Sequence, residues 1–291
     1  MKPHFRSSAA LGFALLAQLV LAQSENLHLP KTIRAGSAFS VETSGSGPAV
    51  LYIVGPAQVV KRDVKLGQPV SIAPGDLTNA GHYLVFVAGD SFTNSGTLDV
   101  LAASEPAAVS FLAKPSRLPV ALHDGISGVV YVFDVFQNLI VDPTQVSFQL
   151  SGVGGAPQTK TVSTTHGVAW TKMDSTSREG PAQFVARVGN TNSTRVVQQV
   201  PGEPCSIRMS AHPSGKRLAV ETEPLRDCTG NAVPDGTIVT FTESYNGGEA
   251  TVDVPLKRGI AKSELPVHED ATVSVATGVV MGNEVHLGKE R

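Results

Sequence analysis

The sequence has few charged residues and little sign of a basic surface. Charged residues make up 16% of the 291 residues, and the formal net charge is −2. A nucleic-acid-binding protein needs a basic face that displaces counterions from the phosphates. The charge balance therefore argues against a nucleic-acid partner, and we predict none.

The sequence also lacks the common catalytic and metal-binding motifs. Its eight His residues are spread singly, without an HExxH pair or another paired ligand spacing. No Gly-x-Ser-x-Gly elbow occurs, because the run Ser44-Gly45-Ser46-Gly47 misses the frame. We therefore predict no enzyme, no catalytic or metal-binding residue and no cofactor. A hydrolase site built from residues distant in the sequence is kept as an alternative.

Cysteine is nearly absent, with only Cys205 and Cys228 in the chain. In an exported protein, an even pair of cysteines is typical of a disulfide. Closing a loop of this length contributes about 3 kcal/mol on the chain-entropy model. We predict a Cys205–Cys228 disulfide, with two buried free thiols as the alternative.

Long hydrophobic runs are absent apart from one at the N-terminus. Lys2 and Arg6 precede an apolar stretch, and the small residues Val20 and Ala22 precede a cut before Gln23. This pattern predicts a signal peptide over residues 1–22, since the run is too short for a typical membrane span. An uncleaved anchor is the alternative. We expect an exported chain, periplasmic or extracellular, with no membrane span after processing.

The residues that are abundant favour β-structure. There are 28 Gly and 19 Pro, and short runs rich in Val and Thr alternate with turn residues. The pattern predicts an all-β protein of three tandem immunoglobulin-like β-sandwiches, over residues 23–104, 105–201 and 202–291. In the first of these, Tyr83 follows a polar loop as in the tyrosine corner of such domains.

One stretch in the last third combines a polar turn with a strand. Residues 227–236 read Asp-Cys-Thr-Gly-Asn-Ala-Val-Pro-Asp-Gly, and an alternating strand through Phe241 follows. The same pattern occurs 93 residues earlier (227 − 134 = 93; 241 − 148 = 93). The matched residues are Asp134, Asn138, Asp142, Val146 and Phe148 with Asp227, Asn231, Asp235, Val239 and Phe241. A period near 90 residues corresponds to one sandwich per repeat.

This pattern resembles the bacterial immunoglobulin-like domains of invasin- and intimin-type surface proteins. The resemblance covers residues 105–288; it is good in the third unit, while Gln137 and Val141 replace Gly and Pro in the second. It implies that the turn links strands across the sandwich and that a Gly-x-Ala strand places small residues in the core. The predicted structural turn residues are Asp134, Asn138, Asp142, Asp227, Gly230, Asn231, Pro234, Asp235 and Gly236.

Three smaller predictions concern individual side chains. Turn formation is favoured over Ca²⁺ binding for the repeated Asp and Asn residues, and the question of Ca²⁺ at the domain joints stays open. Trp170 is predicted to be buried, on the same face of its strand as Val168. His268-Glu269-Asp270 is predicted to be a solvated loop.

The sequence predicts a non-catalytic structural or interaction protein of the bacterial periplasm or cell surface. Its partner would be a protein or another component of the cell envelope, reached through loops and sheet edges. The alternative from another class is an accessory subunit of an envelope enzyme or secretion complex. The sequence does not identify the partner or the oligomeric state.

Overall fold

The computed structural model describes residues 27–90 and 92–288, and all regular structure in this part of the chain is β-strand. The predicted signal peptide over residues 1–22 lies outside the described residues. No helix in the described ranges is long and apolar enough to cross a membrane. The strands form three pairs of sheets, in agreement with the predicted fold class of tandem sandwiches.

The first sandwich contains eight strands. They are β1 (Leu27–His28), β2 (Thr32–Arg34), β3 (Phe39–Thr43), β4 (Pro48–Gly55), β5 (Gln58–Lys65), β6 (Val70–Ile72), β7 (Gly81–Gly89) and β8 (Phe92–Leu101). One sheet has the order β1-β3-β6 and the other β2-β8-β7-β4-β5. Strand β2 pairs in parallel with β8, and the other pairings are antiparallel.

The second sandwich repeats this topology. Its strands are β9 (Ala108–Lys114), β10 (Arg117–Pro119), β11 (Ile126–Phe133), β12 (Gln145–Ser151), β13 (Gln158–Ser163), β14 (Val168–Met173), β15 (Gly180–Val188) and β16 (Thr191–Val200). The sheet orders are β14-β11-β9 and β10-β16-β15-β12-β13. Again a short strand, β10, pairs in parallel with the last strand.

The third sandwich has seven strands and no counterpart of β2 and β10. They are β17 (Met209–Ser214), β18 (Arg217–Thr222), β19 (Ile238–Tyr245), β20 (Gly248–Pro255), β21 (Lys262–Leu265), β22 (Thr272–Thr277) and β23 (Val280–His286). The sheet orders are β17-β18-β21 and β20-β19-β22-β23. In all three sandwiches, the second strand of the smaller sheet leads through a turn or loop into the centre of the larger one.

The chain divides into two compact units. The first unit runs to Pro106 and also includes Phe133–Ile140, the turn after β11. The second unit contains Ala107–Val132 and the residues from Val141 onward, so it includes both the second and third sandwiches. The turn after β11 is therefore grouped with the first sandwich, although the sequence places it between strands of the second.

Each sandwich has an apolar interior built from alternate strand residues. In the second, Phe111, Phe148 and Phe184 are fully buried, and the rings of Phe111 and Phe184 meet edge to face with centroids 5.0 Å apart. In the third, Val239 and Phe241 of β19 are fully buried. Such burial dominates the stability of each sandwich because every large side chain removes apolar area from water.

The prediction for Trp170 is wrong. Trp170 is 63% exposed, whereas its neighbours on β14, Ala169 and Thr171, are buried. Side chains alternate between the two faces of a strand, so burial of one set places Trp170 and Val168 on the outer face. The small Ala169 fits the crowded interior, as the Gly-x-Ala resemblance implied.

The two cysteines form the predicted disulfide. Cys205 and Cys228 are bonded, with Cα atoms 4.6 Å apart, so the alternative of free thiols does not hold in the structure. Cys205 also donates its backbone N–H to the carbonyl of Arg226 at 3.0 Å. The bond ties the segment that enters the third sandwich to the turn after β18.

Replacing Phe241 with alanine should destabilise the third sandwich by about 3–5 kcal/mol, because the side chain is fully buried and its removal leaves a cavity. Denaturant unfolding followed by hydrogen exchange of the β19 amides measures this loss. The matched control is Ile238→Ala in the same strand, where the side chain is 50% exposed and a change below about 0.5 kcal/mol is expected. Equal effects of the two variants would contradict the assignment of the core.

Reduction of the disulfide should destabilise the third sandwich alone, by about 3 kcal/mol on the chain-entropy model. Hydrogen exchange with and without reductant should show faster exchange for the amides of β19 and β22. The amides of β7 in the first sandwich serve as the internal control and should not change. Two free thiols in the unreduced protein would disprove the bond.

Candidate functional site: the Asp–Asn turns

The turn after β18 is organised by the carboxylate of Asp227. Its Oδ1 accepts the backbone N–H groups of Thr229 and Asn231, both at 2.9 Å. Gly230 donates its N–H to the carbonyl of Asp227 at 3.0 Å and has φ +88°, which favours glycine. These bonds close a tight loop on one side chain, as Asp does in turns.

The second oxygen of Asp227 joins this turn to the preceding linker. Oδ2 accepts the N–H of Gly202 at 3.0 Å and the side-chain amide of Asn231 at 2.9 Å. Gly202 lies in the segment between β16 and β17, where the chain passes from the second sandwich to the third. Asp227 is buried, and both of its carboxylate oxygens accept hydrogen bonds.

Asn231 carries the contact into the second sandwich. Its Nδ2 donates to the carbonyl of Ser177 at 3.0 Å, and its Oδ1 accepts the N–H of Glu179 at 3.3 Å. Both residues belong to the loop between β14 and β15. We call the Asp227–Asn231 pair, with the backbone groups it holds, the second clasp.

The turn after β11 makes the same set of bonds within the first compact unit. Asp134 accepts from Phe136 and Asn138 through Oδ1, both at 2.8 Å, and from Ala103 through Oδ2 at 2.8 Å. Asn138 donates to the carbonyl of Thr78 at 2.7 Å and accepts from Ala80 at 2.8 Å. We call the Asp134–Asn138 pair, with these groups, the first clasp.

The groups held by the two clasps are related by one constant offset. The linker N–H groups belong to Ala103 and Gly202 (202 − 103 = 99). The loop groups belong to Thr78 and Ser177 (177 − 78 = 99) and to Ala80 and Glu179 (179 − 80 = 99). The first two sandwiches are therefore structural repeats at the positions where they are held, a relation that the sequence analysis missed.

The first clasp forms without the glycine of the second. Gln137 stands where the second clasp has Gly230, and it adopts φ +67°. A non-glycine residue in the left-handed region costs roughly 1 kcal/mol or more. Its N–H still donates to the carbonyl of Asp134 at 3.1 Å. The departure from the family pattern at Gln137 therefore changes the side chain and leaves the turn intact.

The other predicted turn residues lie outside the clasps. Asp235 accepts the N–H of Gly259 through Oδ1 at 3.1 Å, and the backbone N–H groups of Arg258 and Gly259 lower the pKa of its carboxyl. Gly236, two residues after Pro234, has φ +90°. The carbonyl of Asp142 accepts the hydroxyls of Thr144 and Thr164, at 3.1 and 3.2 Å. These bonds hold the segments that lead into strands β12 and β19.

Tyr83 fixes the loop that the first clasp holds. Its buried phenol donates to the carbonyl of Asn79 at 2.7 Å, which is the geometry of a tyrosine corner. Burial raises the pKa of this phenol. Asn79 lies between Thr78 and Ala80, the two residues bound by Asn138. The corner binds the middle residue of this three-residue segment, and the clasp binds the residues on either side of it.

The hydrogen bonds of the second clasp keep its carboxylate ionised. Burial of Asp227 by itself opposes ionisation, but the side chains of Asn231 and Thr229 and the N–H groups of Gly202 and Asn231 outweigh it. Together they lower the pKa of Asp227 to about 2 from its ordinary 3.8. The ionised form is therefore the one that the fold stabilises.

A second polar group, which the sequence analysis missed, is buried in the third sandwich. Glu243 of β19 is fully buried, and its carboxylate meets the N–H and the Nδ1 of His268, each at 3.1 Å. The His268 ring stacks on Tyr245 with centroids 3.6 Å apart. The prediction of a solvated loop is therefore wrong for His268, which is held in place by a buried carboxylate.

One cluster of potential metal ligands lies on the surface of the second sandwich. His123 approaches Asp174 at 2.9 Å and Asp124 at 3.9 Å. The site is exposed, and the ammonium of Lys160 lies 4.0 Å from Asp124. Asp174 also accepts the N–H of Asp124 at 2.7 Å. These contacts account for the cluster as a surface ion-pair network.

Replacing Asp227 with asparagine should remove a pH-dependent part of the stability. Because the folded pKa of about 2 is below the ordinary 3.8, the ionised carboxylate stabilises the fold above about pH 4. This contribution, about 2 kcal/mol, is lost as pH falls toward 2. Urea unfolding should show a difference between wild type and D227N that is largest at pH 7 and shrinks toward pH 2.

The control for this prediction is Asp253→Asn, which changes an exposed carboxylate on the edge strand β20 of the same sandwich. Its effect on the free energy of unfolding should not follow the pH profile of D227N. A difference between wild type and D227N that stays constant from pH 7 to pH 2 would refute the role given to the ionised form.

Comparison with known proteins bears on the fold of the chain. No family model matches the sequence, and no curated protein does. Among solved structures, the chain is similar to FdeC, described as a broadly conserved Escherichia coli adhesin, with a TM-score of 0.59 and 12% identity over 90% of this chain and 96% of that one.

Two further structures are similar at lower scores. Yersinia pseudotuberculosis InvD has a TM-score of 0.49 and 12% identity, over 89% of this chain and 96% of that one. Chicken CNTN1 FN1–FN3 domains have a TM-score of 0.37 and 12% identity, over 91% and 98%. Of the three, only the similarity to FdeC has a TM-score above 0.5. At 12% identity, this similarity supports a statement about the fold alone. The chain therefore has the immunoglobulin-like β-sandwich fold predicted from its sequence and shared with a bacterial adhesin.

Proposed function

We propose that this chain is an exported, non-catalytic structural and interaction protein of the bacterial periplasm or cell surface. The observation that carries the proposal is the recurrence of the clasp. Twice along the chain, an Asp and an Asn four residues apart hold a linker N–H and two backbone groups of the preceding loop. A scaffold of modules needs this kind of fixed connection.

The clasps use their polar atoms for structure. Both oxygens of Asp134 and of Asp227 accept hydrogen bonds, and each Asn amide both donates and accepts. A catalytic acid, base or nucleophile instead needs an atom that can reach a substrate. The carboxylates of the two clasps therefore support a role in connecting modules.

The cavity next to the second clasp bears on the hydrolase alternative. It measures about 380 Å³, and its charged lining residues are Glu179, Arg226, Asp235 and Arg258. Among the described residues that line it there is no Ser, Cys or His to serve as a nucleophile or a histidine base. The hydrolase alternative thus gains no support from this cavity.

The similarity to an adhesin suggests what such a scaffold would do. FdeC is described as an adhesin, and its fold is shared by this chain at 12% identity. We extend this by analogy to a role in binding a protein or another envelope component. An accessory subunit of an envelope enzyme would show the same fold, so the two roles differ in the partner that is recovered.

Cell fractionation tests the proposal. The tagged protein should appear in the periplasm or on the cell surface, with Gln23 as its first residue. Ala22→Trp places a large side chain at the −1 position and should leave the precursor uncleaved, whereas Ser24→Ala should be processed normally. A cytoplasmic protein that retains residues 1–22 would refute export, and hydrolysis of ester, peptide or glycoside substrates by the pure protein would refute the non-catalytic role.

A further inference from the structure

The larger sheet of the first sandwich has an apolar outer face. Tyr52 of β4 lies opposite Phe86 of β7, and Val54 lies opposite both Leu84 of β7 and Val59 of β5. Val59, Leu84 and Val54 are 62%, 44% and 37% exposed. Val50 and Ala88 extend the same face by one more pair. We call these seven side chains the β4–β7 face.

The corresponding faces of the other two sandwiches are mainly polar, although their strands pair in the same way. In the third sandwich, Thr242 lies opposite Ser274 where the first has Tyr52 opposite Phe86. In the second sandwich, the same pair is Gln149 and Val185. The next pair, Val54 with Leu84, corresponds to Ser244 with Thr272 and to Ser151 with Gln183. The fold therefore does not require apolar residues at these positions.

The strands that flank the β4–β7 face give it a neutral, mixed rim. On β5, Lys61, Asp63 and Lys65 alternate along the outer face, with Lys61 and Asp63 opposite Tyr52 and Val50. On β8, Thr93, Ser95 and Thr97 lie opposite β7, and Asp99 pairs with His82 at 2.8 Å. Two lysines thus balance two carboxylates, with histidine counted as neutral. An apolar centre with a polar rim is the usual anatomy of a protein interface.

We infer that the β4–β7 face is a self-association surface whose occupant is the same face of a second copy of this chain. An isologous contact requires a surface that complements itself. The balanced rim presents no net charge that a second copy would repel, and it offers no excess charge to attract a polyanion or an anionic membrane. The flat apolar centre can pack on its own copy as two sheet faces do inside a sandwich.

The size of the face fits a modest dimer. Four strands about 4.8 Å apart, with eight residues of about 3.3 Å each, give a face of roughly 20 Å by 25 Å. This planar area is about 500 Å² on each partner, or about 1,000 Å² in total, at the small end of the interfaces that hold specific complexes. A dissociation constant of about 1–100 µM is therefore expected.

The test is sedimentation equilibrium of the purified protein from about 1 to 300 µM, a range that brackets the expected constant. Wild type should pass from monomer to dimer. The double variant Tyr52→Thr with Phe86→Ser, which copies Thr242 and Ser274 of the third sandwich, should weaken association at least about tenfold, the loss of two central apolar contacts. The matched control is Val196→Ser, at a 60% exposed valine on the corresponding sheet of the second sandwich, and it should associate as wild type does.

A second variant guards against a folding defect in the first. Val54→Ser with Leu84→Thr copies Ser244 and Thr272 at the more exposed pair and should weaken association with an unchanged melting temperature. A protein that is monomeric throughout the range overturns the inference and leaves the face to a different partner. Association that neither double variant weakens also overturns it. Because the purified chain is measured, this result does not depend on export or on the proposed function.

Discussion

The structure depends on two buried carboxylates whose oxygens are hydrogen-bonded inside turns. Removing a carboxylate from water is unfavourable unless hydrogen bonds replace the lost hydration. Asp227 meets this condition with backbone N–H groups on both of its oxygens and with the amide of Asn231. One of these N–H groups belongs to the linker, so the carboxylate stays satisfied only when the linker is in its observed position. The same carboxylate therefore fixes both the conformation of the turn and the position of the linker.

The asparagine extends this constraint because its side chain is both donor and acceptor. Asn231 donates to one backbone carbonyl and accepts from an N–H two residues later, and Asn138 does the same in the first unit. An aspartate at this position would place a negative charge against a carbonyl oxygen, and an alanine would leave two backbone groups without their partner. The amide is thus suited to a backbone segment that offers one group of each kind. Polar contacts of this type favour a single arrangement, because a shifted backbone segment would lose a donor bond and an acceptor bond together.

The sequence was sufficient to predict the fold because its signals are local and repeated. The strands from Phe39–Thr43 to Thr272–Thr277 carry alternating apolar residues. The turn at residues 227–236 is recognisable from its Asp, Asn, Gly and Pro residues. The edge strand Gln158–Ser163 gives a weak sequence signal, because Val162 is its one apolar residue and the strand buries little. The partners of the clasps were missed for a different reason. They are backbone N–H and carbonyl groups, such as those of Ala80 and Thr78. Almost any residue type supplies such groups, so the sequence does not reveal them.

Single side chains were predicted less well than strands, because their placement depends on the phase of the alternation. Trp170 was predicted to be buried because it shares a face of its strand with Val168, but Ala169, Thr171 and Met173 occupy the inward positions of β14. A shift of one residue exchanges the two faces of a strand completely. Glu243 shows the opposite case. It continues the inward series of Val239 and Phe241, and the backbone N–H of His268 donates to one oxygen of its carboxylate.

The three sandwiches separate what the fold requires from what it permits. Inward residues at matched positions of the central strand remain large, as in Leu51, Phe148 and Phe241, because the interior must be filled in every copy. Outward residues at matched positions differ freely, from Tyr52 to Gln149 to Thr242. The repeated architecture therefore constrains only the inner face and the clasps. A property that belongs to one sandwich alone, such as an apolar outer face, has to come from residues that the fold leaves unconstrained.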